Sequence, residues 1–137
     1  MTDYVLDSFA LTAYVQNEPA GVRVKELLDE AQSAISRLAM TTVNLGETLY
    51  VTYRRRGPNG LVKVLNLVAD LPIELVDADL PLTVAAARIK AVTPISYADC
   101  FAAALALHHQ ATVITGDREF ERLTHLVPVE WLPGARY

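Results

Sequence analysis

The sequence has a single cysteine, Cys100. No intramolecular disulfide and no cysteine-based zinc site can form from it. It also lacks long apolar runs. The longest uninterrupted one, Cys100 to Leu107, is eight residues, far short of the roughly 20 that span a bilayer. No basic segment leads into an apolar run behind Met1-Thr2-Asp3-Tyr4, so there is no sign of a secretory signal. Low-complexity tracts are missing, which argues against disorder. The expectation is a protein of the reducing cytoplasm with no membrane partner. Several chemistries are missing as well. There is no G-x-S-x-G, Walker A, G-x-G-x-x-G or H-E-x-x-H pattern, so the sequence offers no convincing alternative nucleophile or phosphate cradle.

What is present is apolar. Of 137 residues, 52% are hydrophobic, enough for one domain, residues 1–137, with one core. The pattern alternates strand and helix. Tyr4 to Leu6 reads as a short buried strand ending at Asp7, and Ser8 as the cap of a helix to about Gln16. Pro19 suits the first turn of a helix to about Ala34, with Val22, Leu27 and Leu28 on its apolar face. A strand follows at 37–42, then a helix from Val43 to Arg56 stopped by Gly57-Pro58. Leu61 to Leu71 is again helical in spacing. Ile73 to Val76 is a strand, Leu80 to Val92 a helix, and Ser96 opens a helix to about His109. Thr112 to Thr115 is a buried strand, Glu119 to Leu123 one helical turn, Pro128 to Trp131 an edge strand, and the residues from Pro133 a loose tail. The implied fold class is α/β: a mostly parallel sheet of about five strands with helices on both faces.

In open parallel sheets, ligands bind beyond the carboxyl ends of the strands. Asp7 and Asp117 each follow such an end. Either one alone reads as a helix cap or turn residue; their common location points to a site. Asp99 lies in Ser96-Tyr97-Ala98-Asp99, which fits a capping box but can also aim a carboxylate into the crevice above the sheet. Glu47 falls in a helix with apolar neighbours Val43, Tyr50 and Val51, where an acid wants a partner or a metal. Carboxylates converging in one crevice repel unless a cation joins them. Mg²⁺, or Mn²⁺, prefers such oxygen ligands and supports hydrolysis of a phosphodiester.

These segments together resemble a known family. Leu6-Asp7-Ser8, Glu47, Ser96-Tyr97-Ala98-Asp99 before an alanine-rich helix, and Thr115-Gly116-Asp117-Arg118-Glu119-Phe120 are similar to the motifs of PIN-domain ribonucleases, in the size and order of the VapC toxins of toxin–antitoxin pairs. The resemblance implies a three-layer PIN-like sandwich and an acidic Mg²⁺ site that cleaves single-stranded or loop RNA. Asp7 and Asp99 would be the core metal ligands, completed by Glu47 and Asp117. Ser8 and Thr115 would match the hydroxyl positions that orient acids and waters. A homodimer and a cognate antitoxin are implied too.

The net charge of −4 speaks by itself against a nucleic-acid partner. Without the four carboxylates, twelve acidic residues face twelve basic ones. Arg54, Arg55 and Arg56 read either as a solvated helix end or as phosphate contacts; Arg23 and Lys25 are further candidates for RNA contact. His108, His109, His125 and Cys100 are not promoted to the site, and Trp131 and the tyrosines read as packing residues or base-stacking surfaces. Alternatives within the same site chemistry are a DNA nuclease or phosphatase, and a PIN-like module that binds RNA without cutting it.

Overall fold

A computed structural model describes residues 2–134; the last three residues of the expected tail lie outside them. Five strands form one all-parallel sheet: β1 (Tyr4–Leu6), β2 (Leu38–Thr41), β3 (Ile73–Val76), β4 (Thr112–Thr115) and β5 (Val129–Trp131). Their order is β3-β2-β1-β4-β5. Helices α1 (Ser8–Val15), α2 (Gly21–Gln32), α3 (Thr42–Ala69), α4 (Leu80–Val92) and α5 (Tyr97–His109) connect the strands, with a 3-10 turn at Arg118–Leu123.

The order has a physical consequence. From β1 the chain steps one way to β2 and β3, then returns past β1 to β4 and β5. Parallel crossovers are right-handed, so reversing direction moves the helices to the opposite face. One apolar cluster, with Leu6, Leu38, Met40 and Ile114, packs under α1, α2 and α3. The other, with Val5, Ala39 and Val113, packs under α4 and α5. Alternation at period two divides each strand between the two. The switch point therefore falls between β1 and β4, where a crevice opens at the carboxyl ends.

Local sequence explains the elements. Helix α5 buries Ala102, Ala103, Ala104 and Ala106 between the sheet, α3 and α4, and their small side chains let these neighbours approach closely. Gly21 lets α2 meet α1, since a Cβ there would lie 2.6 Å from the Ala13 carbonyl oxygen. In α3 the backbone leaves helical geometry at Gly57 (φ 70°) and resumes at Pro58, a φ that glycine alone adopts freely.

Some local expectations are corrected. Asp7, not Ser8, caps α1, because a carboxylate preceding the first turn accepts from Ala10 N–H. Helix α2 begins at Gly21, leaving Pro19 in the preceding turn, and ends at Gln32. Its buried face is Val24, Leu27 and Leu28, whereas Val22 is exposed, since it is out of phase with the 24–27–28 stripe. No helix among the described residues is long and apolar enough to cross a membrane.

Candidate acidic site

The site grows from the last outward position of each strand. On the face covered by α4 and α5, Val5 and Val113 lie in the core. Two residues on, the same side carries Asp7 and Thr115. The backbone at Asp7 remains extended (φ −91°, ψ −177°), so the alternation continues through it. Thr115 Oγ1 donates to Asp7 Oδ2, and Ala10 N–H donates to Asp7 Oδ1 at 2.9 Å. Asp117 N–H in turn donates to Thr115 Oγ1 at 2.9 Å. Thr115 thus links the two aspartates through one hydroxyl.

Asp99 comes from α5. Ser96 Oγ accepts from Asp99 N–H at 3.2 Å, which is half of a capping box. The reciprocal bond, from Ser96 N–H to the Asp99 carboxylate, is not formed among the described residues; the Ser96 side chain is the cap group that bears on that carboxylate. Helix α5 is tied to α3 by Asn44, whose Nδ2 donates to the Ala98 carbonyl at 3.1 Å. Asn44 is fully buried and is also bonded to the Thr41 hydroxyl. Glu47, one turn along α3 and half-buried, accepts from Ser8 Oγ at 2.8 Å. Three elements therefore aim acids at the switch point.

Their electrostatics show how close they come. Burial pushes the Asp7 carboxyl up to about 8; the bonds from Thr115 and Ala10 oppose this, and the charges of Asp99 and Asp117 add to it. Burial likewise raises Asp99 to about 7, opposed by Ser96 and reinforced by Asp117, Glu47 and Glu119. No ion pair among the described residues reaches these acids: the pairs formed are Arg23 with Glu26, Glu30 and Glu130, Lys25 with Asp29, and Arg118 with Glu121. Two buried carboxylates, two more beside them and no cationic partner make an oxygen-only, negative crevice.

The PIN domain family profile matches residues 4–126. The chain belongs to the PIN domain family. Its fold is shared with solved toxin–antitoxin structures. DNA-bound VapBC from Salmonella typhimurium aligns at TM-score 0.74 and 21% identity, covering 95% of this chain and 98% of that one. VapBC-5 from Mycobacterium tuberculosis aligns at TM-score 0.62 and 25% identity, over 98% and 100%. VapC20 of the same organism, a sarcin-ricin loop cleaving toxin, aligns at TM-score 0.68 and 15% identity, over 87% and 93%. A comparison with curated protein sequences gives no match.

This PIN domain fits a hard divalent cation in the chemistry of its donors, which are all carboxylate and hydroxyl oxygens. Among the described residues, no three His, Cys, Asp or Glu side chains already stand together as a ligand set. Each carboxylate rests on its own hydrogen bonds, as repulsion between neighbouring negative charges favours.

Reading along the chain missed Asn44. The available signal was an asparagine set between Val43 and Leu45 three residues after Thr41, a local pattern that equally describes a helix cap. Arg54, Arg55 and Arg56 are exposed. The Arg54 guanidinium lies over Tyr50, 4.9 Å from the ring centre, and Arg55 bonds to Gln16.

Proposed function

We propose that this PIN domain is a Mg²⁺-dependent endoribonuclease that acts as the toxin of a toxin–antitoxin pair in the cytoplasm. One observation carries the reading. Two buried carboxylates, Asp7 and Asp99, lie at the sheet's switch point within reach of each other's charge, with no ion-pair partner among the described residues. Burying such charges without a counter-charge is costly, and the arrangement makes sense where a divalent ion supplies that charge. Asp7 and Asp99 would hold it, with Glu47 and Asp117 completing the site directly or through water. Such an ion would supply Lewis-acid polarisation of a phosphoryl oxygen and a more acidic water.

The rest of the chemistry belongs to the chain. Thr115 fixes the Asp7 carboxylate and the Asp117 backbone from one hydroxyl. Ser8 orients Glu47. Asn44 holds the first turn of α5 against α3 and so sets the depth of Asp99. The VapBC fold relatives, among them a sarcin-ricin loop cleaving toxin, support RNA as substrate and an antitoxin as partner. Exposed Tyr50, Tyr53, Val62 and Leu65 along α3 support a protein-binding face there. Exposed Leu80, Val84 and Leu107 on α4 and α5 support a second copy of the chain as a further partner.

The test is cleavage of RNA with Mg²⁺ or Mn²⁺. EDTA should abolish it, and Asp99→Asn should remove it while circular dichroism and melting stay native. Cleavage undiminished in Asp99→Asn refutes the site. Parallel assays on DNA and on small phosphate esters separate the other hydrolytic readings. The acids' present roles as caps and hydrogen-bond acceptors favour a second reading, a module that binds RNA without cutting it. RNA binding with neither Mg²⁺ binding nor turnover would favour that one instead.

A further inference from the structure

The row of strand ends continues past the acids. Leu6 pairs with Ile114 and Thr115 pairs with Trp131, so Asp7, Thr115 and Trp131 follow one another across β1, β4 and β5. Trp131, like Val113, packs on the α4–α5 side. Adjacent strands are about 4.8 Å apart, which puts Trp131 roughly 10 Å from Asp7 along this edge. Arg118 lies over the indole. Its guanidinium carbon is 4.6 Å from the ring centre, and its Nε is 3.3 Å from Glu121 Oε1. The side chain is nonetheless 63% exposed. Arg118 also follows Asp117 directly in the chain.

This is an unusual use of an arginine. An exposed cation resting on a half-buried aromatic ring and paired to a surface carboxylate does little for stability. What the arrangement does achieve is orientation. The ring beneath and Glu121 beside it hold a planar cation in place with much of its surface open to solvent, next to a crevice whose negative charge repels phosphate. Guanidinium planes stack on unpaired nucleobases and also bind phosphate.

The geometry points to Arg118 on Trp131 as a stacking platform for one unpaired base of a single-stranded RNA, flanking the bond that the acids address. This rests on the ribonuclease reading and adds the substrate contact which that reading lacks. A base within a duplex has no free face to offer such a platform. Arg118 is a substrate-binding residue here, and Trp131 and Glu121 position it.

The experiment uses the full chain and a fluorescently labelled single-stranded RNA. Kd is read by anisotropy with Asp99→Asn as the background, and kcat and KM are read with the native acids. Arg118→Lys keeps the charge and loses the plane. It should weaken binding and raise KM about tenfold, nearly as much as Arg118→Ala, with kcat preserved. Trp131→Phe should retain most of the affinity and Trp131→Leu should not. An abasic nucleotide at the flanking position should erase the difference between the native chain and Arg118→Lys. Trp131 is the only tryptophan, so its emission should change as RNA saturates. Wild-type KM in Arg118→Lys overturns the platform in favour of a simple charge contact, as does emission that is flat at saturation. If the native chain binds RNA with these signatures but cuts nothing, the nuclease reading fails and the platform stands. If it cuts RNA and every variant matches wild type, the reverse holds. RNA that neither binds nor is cut refutes both.

Discussion

Replacing Asp7 by asparagine sets two physical effects against each other. Asp7 caps α1, and a negative charge at a helix N-terminus stabilises by roughly 0.3–1 kcal/mol. It is also fully buried, with Asp99 and Asp117 close enough to raise it further. Its carboxyl titrates at about 8 rather than 3.8. At about 1.4 kcal/mol per pH unit, the ceiling on the cost of ionising it in the metal-free fold is about 6 kcal/mol. Water penetration and relaxation lower this, so a gain of about 2–4 kcal/mol for Asp7→Asn at pH 8 is expected. The burial effect wins. Asparagine keeps the shape, can still accept from Ala10 N–H, and can donate to the Thr115 hydroxyl.

The pH dependence follows from the same shift. Between about pH 4 and pH 8 the folded wild type holds more protons than the unfolded chain, so its stability falls as pH rises through this window. Asp7→Asn removes part of that slope. The assay is urea unfolding of the metal-free protein at pH 5 and pH 8, with Mg²⁺ added in a second series. The variant should be clearly more stable than wild type at pH 8 and nearly equal to it towards pH 4. Mg²⁺ should stabilise wild type at pH 8 far more than the variant, because binding to the folded state alone adds stability. A variant less stable than wild type at pH 8, or a difference independent of pH, would refute the reasoning and leave Asp7 as a structural cap.

Two further outcomes follow from packing and hydrogen bonding. Asn44→Ala leaves the Ala98 carbonyl and the Thr41 hydroxyl without their buried partner, so it should cost about 1–3 kcal/mol in chemical denaturation and lower RNA cleavage by displacing Asp99; unchanged cleavage would show that Asn44 does not set that residue's depth. Gly116→Ala would place a Cβ 2.3 Å from the Phe9 ring, costing about 1–3 kcal/mol unless the ring swings away; pairing it with Phe9→Leu should recover most of the lost melting temperature, and failure to recover would mean that the backbone rather than the ring is strained.

Much of the fold was legible because its signals are local. Apolar runs bounded by turn residues marked all five strands, and Gly57-Pro58 marked the break in α3, since glycine's φ and proline's missing N–H act wherever they occur. Helix boundaries shifted where local signals competed: at Ser8, the neighbouring carboxylate was the better cap. The site was legible in part. Asp7 and Asp117 could be placed from strand ends alone. Asp99 and Glu47 could not, because a capping box and a helical acid look the same whether or not they face a crevice. The family match covers residues 4–126, a span that includes all four acids.

The chain's local chemistry determined which segments are strands, where aspartates terminate them, and that no cysteine-based zinc site, long apolar span or nucleophile motif competes with the acids. Tertiary structure decided the rest. It alone set the strand order, and with it the reversal between β1 and β4 that opens the crevice. It buried Asp7 and Asp99 together, 92 residues apart in sequence, and gave them their raised titration ranges. It laid Arg118 on Trp131 and tied Asn44 to Ala98. The reason is physical. Propensity and capping act over a few residues, whereas burial, charge repulsion and stacking depend on which distant surfaces the core brings together.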